Sequence, residues 1–250
     1  MSLSAIVLTK NSERCLKACL GSLTFADELL VIDDHSTDTT IKIAQMSGAK
    51  IIVHSMNGDF SAQRRFAVEQ ASGEWLLFID SDEVVSPELA EEIKSVIQKE
   101  YCACELLREN RFLHHSIRNG SMRGDRVLRL FPREGLSIVG RVHEKMSSKY
   151  PVIRLSGILF HYPYEDWSAM IRKLDAYTSY LAQQQIEKKK NTCFLIGALL
   201  KPTWAFLKVY VFHRGFLDGR MGLMFAVHHA YYTFMKYAKF NLLQDSQGKF

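Results

Sequence analysis

The chain has 250 residues, 47% hydrophobic and 24% charged, with a net charge of +5. These are globular proportions, which exclude a disordered or collagen-like chain, and five prolines exclude a proline-rich linker architecture. Five cysteines without regular spacing exclude a disulfide framework and fit a reduced, cytosolic setting; Cys102 and Cys104 form a CxC with no partner pair, so a zinc site is not expected. The charge is uneven. Residues 1–163 are nearly neutral, whereas residues 164–250 carry 12 Lys and Arg against 6 Asp and Glu, a bias that suits an anionic surface, either nucleic acid or lipid.

Residues 2–9 (SLSAIVLT) predict a buried strand rather than a signal peptide. Asn11 and Ser12 offer N-caps for a helix on which Cys15, Leu16, Cys19, Leu20 and Leu23 recur. Residues 28–32 predict a second strand, ending in Asp33-Asp34, and 36–47 a helix capped by Ser36 and Thr37. Residues 50–54 predict a third strand and 60–71 a helix closed by Gly73. Residues 75–79 (WLLFI) predict a fourth strand, followed at once by Asp80-Ser81-Asp82-Glu83. Apolar strands alternating with amphipathic helices imply an α/β fold with a parallel sheet covered on both faces. Ligands of such sheets bind beyond the carboxyl ends of the strands, where Thr9 to Asn11, Asp33-Asp34 and Asp80 to Glu83 all fall.

A helix at about 86–99 precedes strands at 103–113, 126–131 and 152–160, in which Arg126, Leu128 and Leu130 alternate with Val127, Arg129 and Phe131. Asp166 is placed to cap a helix whose face carries Trp167, Met170, Ile171, Leu174, Tyr177 and Leu181, and two more helical stretches follow residue 192.

Asp80 and Asp82, two residues apart at a strand end, can both turn toward the crevice, and a cation must neutralise so close a pair. Mg²⁺ or Mn²⁺ suits such oxygen ligands together with substrate phosphates; a solvated acidic turn is the plain alternative. Asp34 is expected to face a ligand, while Ser36 or Thr37 caps. One of Arg64 and Arg65 could neutralise a diphosphate, although arginine pairs commonly face solvent. Glu144, beside His143, could act as a general base, although His-Glu dipeptides are common, and His161, at the end of an apolar strand, could contact a metal or phosphate, although a lone histidine is more often structural.

Together, strand-TKN, strand-DDHSTDTT, EWLLFIDSDE, RLFPR (129–133), VHE (142–144) and LFHY (159–162) resemble family 2 glycosyltransferases of the GT-A fold. The tail, LLKPTWAFLKVYVFHRGFLDGRMGL, is similar to the subgroup of lipopolysaccharide core β-1,4-glucosyltransferases. The resemblance implies a GT-A catalytic domain over 1–163, with a nucleotide-sugar half (1–100) and an acceptor half (101–163), and a helical region over 164–250. It implies donor contacts from Thr9, Asn11, Asp34, Arg64 and Ser81. It implies metal ligation by Asp80, Asp82 and His161, and catalysis by Glu144 with His143. The implied reaction is inverting transfer from a nucleoside-diphosphate sugar, a UDP-sugar, to a cell-envelope saccharide. The sequence departs from the family at Asn11-Ser12, where Asn-Glu is usual, at Arg65, where many members carry Asn, and in lacking a later Glu-Asp pair.

Residues 194–212 have nearly the length of a membrane span, but Lys201, Pro202 and Lys208 interrupt them. A helix lying in the membrane interface fits better, with Trp204, Phe206, Tyr210 and Phe212 at headgroup depth. Leu223, Val227, Tyr231, Phe234 and Ala238 mark one face of the next helix, for lipid or for packing. The expected partners are therefore nucleotide sugar, saccharide acceptor and the inner face of the cytoplasmic membrane, without nucleic acid; a homo-oligomer is compatible with this. The competing readings are a sugar nucleotidyltransferase, disfavoured by the absence of glycine from TKNSERCL, and a non-catalytic module for anionic surfaces. A nicotinamide-type dehydrogenase lacks its GxGxxG.

Overall fold

The computed structural model describes residues 1–140, 145–188 and 193–246. The chain divides into two units, one of residues 1–109 and 125–162, the other of residues 110–124 and 163–250.

The first unit opens with β1 (Leu3–Thr9), α1 (Leu16–Gly21), β2 (Glu28–Asp33), α2 (Thr40–Met46), β3 (Lys50–Val53), α3 (Phe60–Gln70) and β4 (Trp75–Asp80). It continues with β5 (Glu83–Val85), α4 (Pro87–Val96) and β6 (Ala103–Phe112), whose last residues enter the second unit. After β7 (His115–Ile117) come β8 (Asp125–Pro132), β9 (Leu136–Val139), β10 (Lys145–Ser148) and β11 (Val152–His161). The main sheet runs β3-β2-β1-β4-β8-β6-β11-β5. The first four strands are parallel; β8 joins β4 antiparallel. The sheet is thus mixed, as the GT-A class requires. Chain order reverses at β1, whose neighbours are β2 and β4, which makes a topological switch point there.

Alternation along the strands builds two cores. Ala5, Val7, Val31, Leu77 and Ile79 face α1 and α4, packing on Leu16, Leu20, Leu89 and Ile93. Ile6, Leu30, Ile32, Leu76 and Phe78 face the other way, onto Ala67 of α3 and Ala71 just after it. Asp59 caps α3 by accepting from the Ala62 N–H at 2.8 Å, and Ser86 caps α4, with Pro87 in its first turn.

Three local expectations are corrected. Asn11, Ser12, Ser36 and Thr37 cap no helix; α1 and α2 start later, at Leu16 and Thr40, without side-chain caps. Gly73 is not a left-handed helix stop. It is small because an added Cβ would lie 2.6 Å from the Ser4 nitrogen. The short strands β5, β7, β9 and β10 were not legible as periodic runs.

In the second unit, residues 110–112 pair with β7, and Asp166 caps α5 (Trp167–Glu187) by accepting from Ala169 at 2.6 Å. Residues 196–200 are wound as a π-helix, α6 spans Lys201–Leu207, 208–212 is again π, and α7 spans Gly219–Asp245. Pro202 cannot donate to the carbonyl four residues back, and the π turn lies directly before it. Phe112, Ile117, Met170 and Phe225 form the core of this unit. On α7 the buried residues are Gly222, Phe225, Ala226 and Phe240, so Leu223, Val227, Tyr231 and Phe234 stand exposed. No described helix is long and apolar enough to cross a membrane.

Candidate active site

Parallel pairing aligns the carboxyl ends of the central strands. Thr9 is opposite Asp33, and Leu8 opposite Asp80. Beyond them lies a cleft of about 490 Å³ whose wall includes Thr9, Lys10, Asp34, Gln63, Arg64, Asp80, Ser81, Asp82 and His161. The loops at its rim are tied to one another. The Asn11 side chain accepts from the Thr37 N–H at 2.8 Å, the Ser12 and Ser81 hydroxyls are 2.8 Å apart, and Glu13 accepts from Thr39. Asn11 and His35, at the loop tips, take left-handed backbone conformations (φ 49° and 53°).

The two aspartates after β2 divide the work. Asp33 is fully buried and accepts from the Ser36 N–H at 2.8 Å and from its hydroxyl, shaping the turn. Asp34 faces the cleft, accepting from Lys10 Nζ at 2.9 Å and from the Met56 N–H at 3.2 Å. The Lys10 hydrogen bond, against the opposing effect of burial, holds its carboxyl below the usual range. Thr9 Oγ1 is buried with no hydrogen-bond partner among the described residues, so a wall of the cleft keeps unused hydrogen-bonding capacity. Gln63 is fixed by two bonds to His54, from His54 Nδ1 at 2.6 Å and to the His54 carbonyl at 2.8 Å.

The acidic segment after β4 is organised by arginines. Arg129 of β8 donates from Nη2 to Asp80 Oδ2, and to Glu83 Oε1 at 3.0 Å; Arg64 of α3 lies 3.4 Å from Asp80 Oδ1. Arg108 reaches Glu83 at 3.3 Å and grips Asp125 through two 2.9 Å bonds. Burial opposes ionisation of Asp80, but Arg129 and Arg64 overcome it and hold its pKa at about 2. Glu83, fully buried, has its carboxyl pushed up by burial, with Asp80 adding to the effect against Arg129. Asp82 pairs instead with a histidine. Its Oδ2 lies 3.4 Å from His161 Nε2, and its side chain is 37% exposed. Among the described residues no group of three His, Cys, Asp or Glu side chains is placed to hold a metal ion.

Thus Thr9, Asp34, Arg64, Asp80, Ser81, Asp82 and His161 meet at one cleft, while Asn11 ties the rim and is absent from the wall. Of the arginine pair, Arg64 is buried and Arg65 exposed. His143 and Glu144 lie outside the described residues. Sequence reasoning assigned no role to Arg129, Gln63, Lys10 or Glu83, although it placed the last two at the strand ends. Lys10 and Glu83, in TKN and DSDE, adjoin residues already marked, and that was their only signal.

Residues 4–133 match the sequence profile of glycosyl transferase family 2. The chain belongs to that family. An uncharacterized glycosyltransferase of Rickettsia typhi is 28% identical over 95% of this chain and 86% of its own length. The lipopolysaccharide core biosynthesis glycosyltransferase LpsC of Rhizobium meliloti is 27% identical over 96% of this chain and 92% of its own. Among solved structures, Staphylococcus aureus TarS (1–349) with UDP-GlcNAc covers all of this chain and 93% of its own, at 16% identity and a TM-score of 0.47. As a glycosyltransferase of this family the chain is a transferase with an α/β fold of the GT-A class, and the cleft at the switch point is its candidate active site.

Proposed function

We propose that this glycosyltransferase moves a hexose from a UDP-sugar to a cell-envelope saccharide, such as lipopolysaccharide core, with inversion. The observation that carries this is the convergence of Thr9, Asp34, Arg64, Asp82 and His161 on one cleft beyond β1, β2 and β4. The name of LpsC supports the acceptor class.

Asp34 offers carboxylate oxygens to a base N–H or ribose hydroxyl, and Thr9 Oγ1 a further hydrogen bond. Asp82 and His161 would hold Mg²⁺ or Mn²⁺, since a carboxylate oxygen and an imidazole, completed by phosphate oxygens, form a donor set these ions accept. Once bound, the ion neutralises the charge that grows on the departing diphosphate. Asp80, with both oxygens engaged by guanidinium groups, is assigned to fixing the turn that presents Asp82. In one displacement the acceptor oxygen bonds to the anomeric carbon while the carbon–diphosphate bond breaks, its electron pair leaving on the diphosphate. The acceptor proton passes to a carboxylate, assigned to Glu144.

Residues 194–217 are read as an interfacial segment on the cytoplasmic face of the membrane. Support comes from exposed Phe194, Leu200, Trp204, Phe212 and Leu217, with Lys201 and Lys208 between them.

The test is a panel of nucleotide sugars with Mg²⁺ or Mn²⁺, reading release of nucleoside diphosphate. Asp82→Asn is expected to cut metal-dependent release at least about 100-fold without lowering the melting temperature. Glu144→Gln is expected to keep UDP binding and lose transfer. Retained turnover in the first variant overturns the ion assignment; unchanged transfer in the second removes Glu144 as base.

A further inference from the structure

We propose that the helical unit carries a second binding site, in the cavity formed by α5 and α7, which takes a neutral sugar ring of the acceptor glycan; this rests on reading the chain as a glycosyltransferase. The cavity has two lobes, of about 220 and 330 Å³, whose walls share Tyr164, Met170, Tyr177, His228 and Tyr232. Its walls are mostly aromatic. Tyr177 and Tyr232 are within 20° of parallel with centroids 6.3 Å apart, and the Lys173 ammonium stands 5.2 Å from the centre of the Tyr164 ring.

Inside this aromatic wall one polar atom is unsatisfied: His228 Nε2 is buried with no hydrogen-bond partner among the described residues. Leaving such an atom unpaired is unfavourable, and a ligand that bonds to it would recover that cost. Burial, reinforced by His229, lowers the His228 pKa to about 4, so the imidazole is neutral at physiological pH and has both a donor and an acceptor nitrogen. Burial raises the phenols of Tyr164 and Tyr232, which keeps their protons on.

A pyranose matches this combination. Its C–H face lies on aromatic rings and its hydroxyls need a few placed polar groups. An acyl chain would leave His228 Nε2 unpaired. An anion would find one ammonium among the described wall residues, on Lys173, beside an uncharged imidazole.

The test titrates the full chain with methyl glucoside and with a delipidated lipopolysaccharide core oligosaccharide. It reads the change in tryptophan fluorescence, to which Trp167 contributes from 5.8 Å beside the His228 ring, alongside saturation-transfer NMR. His228→Leu and Tyr232→Ala are expected to weaken saccharide binding at least tenfold and raise the acceptor KM by a similar factor, with kcat changed less than twofold. The thermal shift given by UDP should stay as in the wild type, which shows that the variants are folded. Saccharide binding equal in wild type and both variants overturns the site, as does no saccharide binding by a wild type that binds UDP, or competition by decanoate. Saccharide binding lost in the variants while the wild type neither binds UDP nor turns over donor would sustain the site and sink the glycosyltransferase reading instead.

Discussion

Arg129 reaches Asp80 because β8 holds one residue more than β6 needs. Cys104 pairs with Leu130 and Glu105 with Leu128, so Arg129 is the extra residue of a bulge. The bulge reverses the alternation, putting Val127 and Leu130 against one core and Leu128 and Phe131 against the other. That is why a period-two reading of RVLRLF could not find Arg129, whereas Asp34, Asp80 and Asp82 were visible as carboxylates released at the ends of apolar strands. The guanidinium holds two carboxylates, one of them fully buried. Replacing it by Met should lower unfolding free energy by about 3–5 kcal/mol, because Asp80 and Glu83 would keep only their longer contacts to Arg64 and Arg108. Urea denaturation of Arg129→Met measures this; a loss below 1 kcal/mol would mean that Arg64 and Arg108 suffice.

At the scale of elements, the parallel strands were read to within a residue or two, because each is a continuous apolar run. The helices α1 and α2 were misplaced for a physical reason. Asn11, Ser12 and Ser36 resemble caps, but Asn11 bonds Thr37, Ser12 bonds Ser81, and Ser36 bonds Asp33 and the Asn11 N–H. Capping preference describes a residue's own helix and is blind to a partner dozens of residues away. The packing of β11 on α4 depends on Gly157, where an added Cβ would sit 2.5 Å from the Leu89 Cα, a backbone atom that cannot step aside. Gly157→Ala should therefore cost about 1–3 kcal/mol, read as a lower denaturation midpoint. An unchanged midpoint would show that the helix shifts freely on the sheet.

For the molecule as a whole, the excess positive charge lies in residues 164–250, where Leu200, Trp204, Phe212 and Leu217 are each more than half exposed. Composition disclosed the charge; that the α7 stripe faces outward required coordinates, since helical spacing alone cannot tell a buried face from an uncovered one. The chain should float with vesicles of phosphatidylglycerol and phosphatidylethanolamine more than with phosphatidylcholine, and less as salt rises. Trp204→Ser with Phe212→Ser should reduce flotation several-fold while leaving the UDP thermal shift intact. Equal flotation by the double variant would exclude this surface as the membrane contact.

The cross-links between the loops above the strand ends have a thermodynamic corollary. Because side-chain bonds hold those segments to one another, the entropy of arranging them is lost during folding. A nucleotide arriving at the cleft meets a preorganised rim, and its association free energy is not drained by ordering the chain around it.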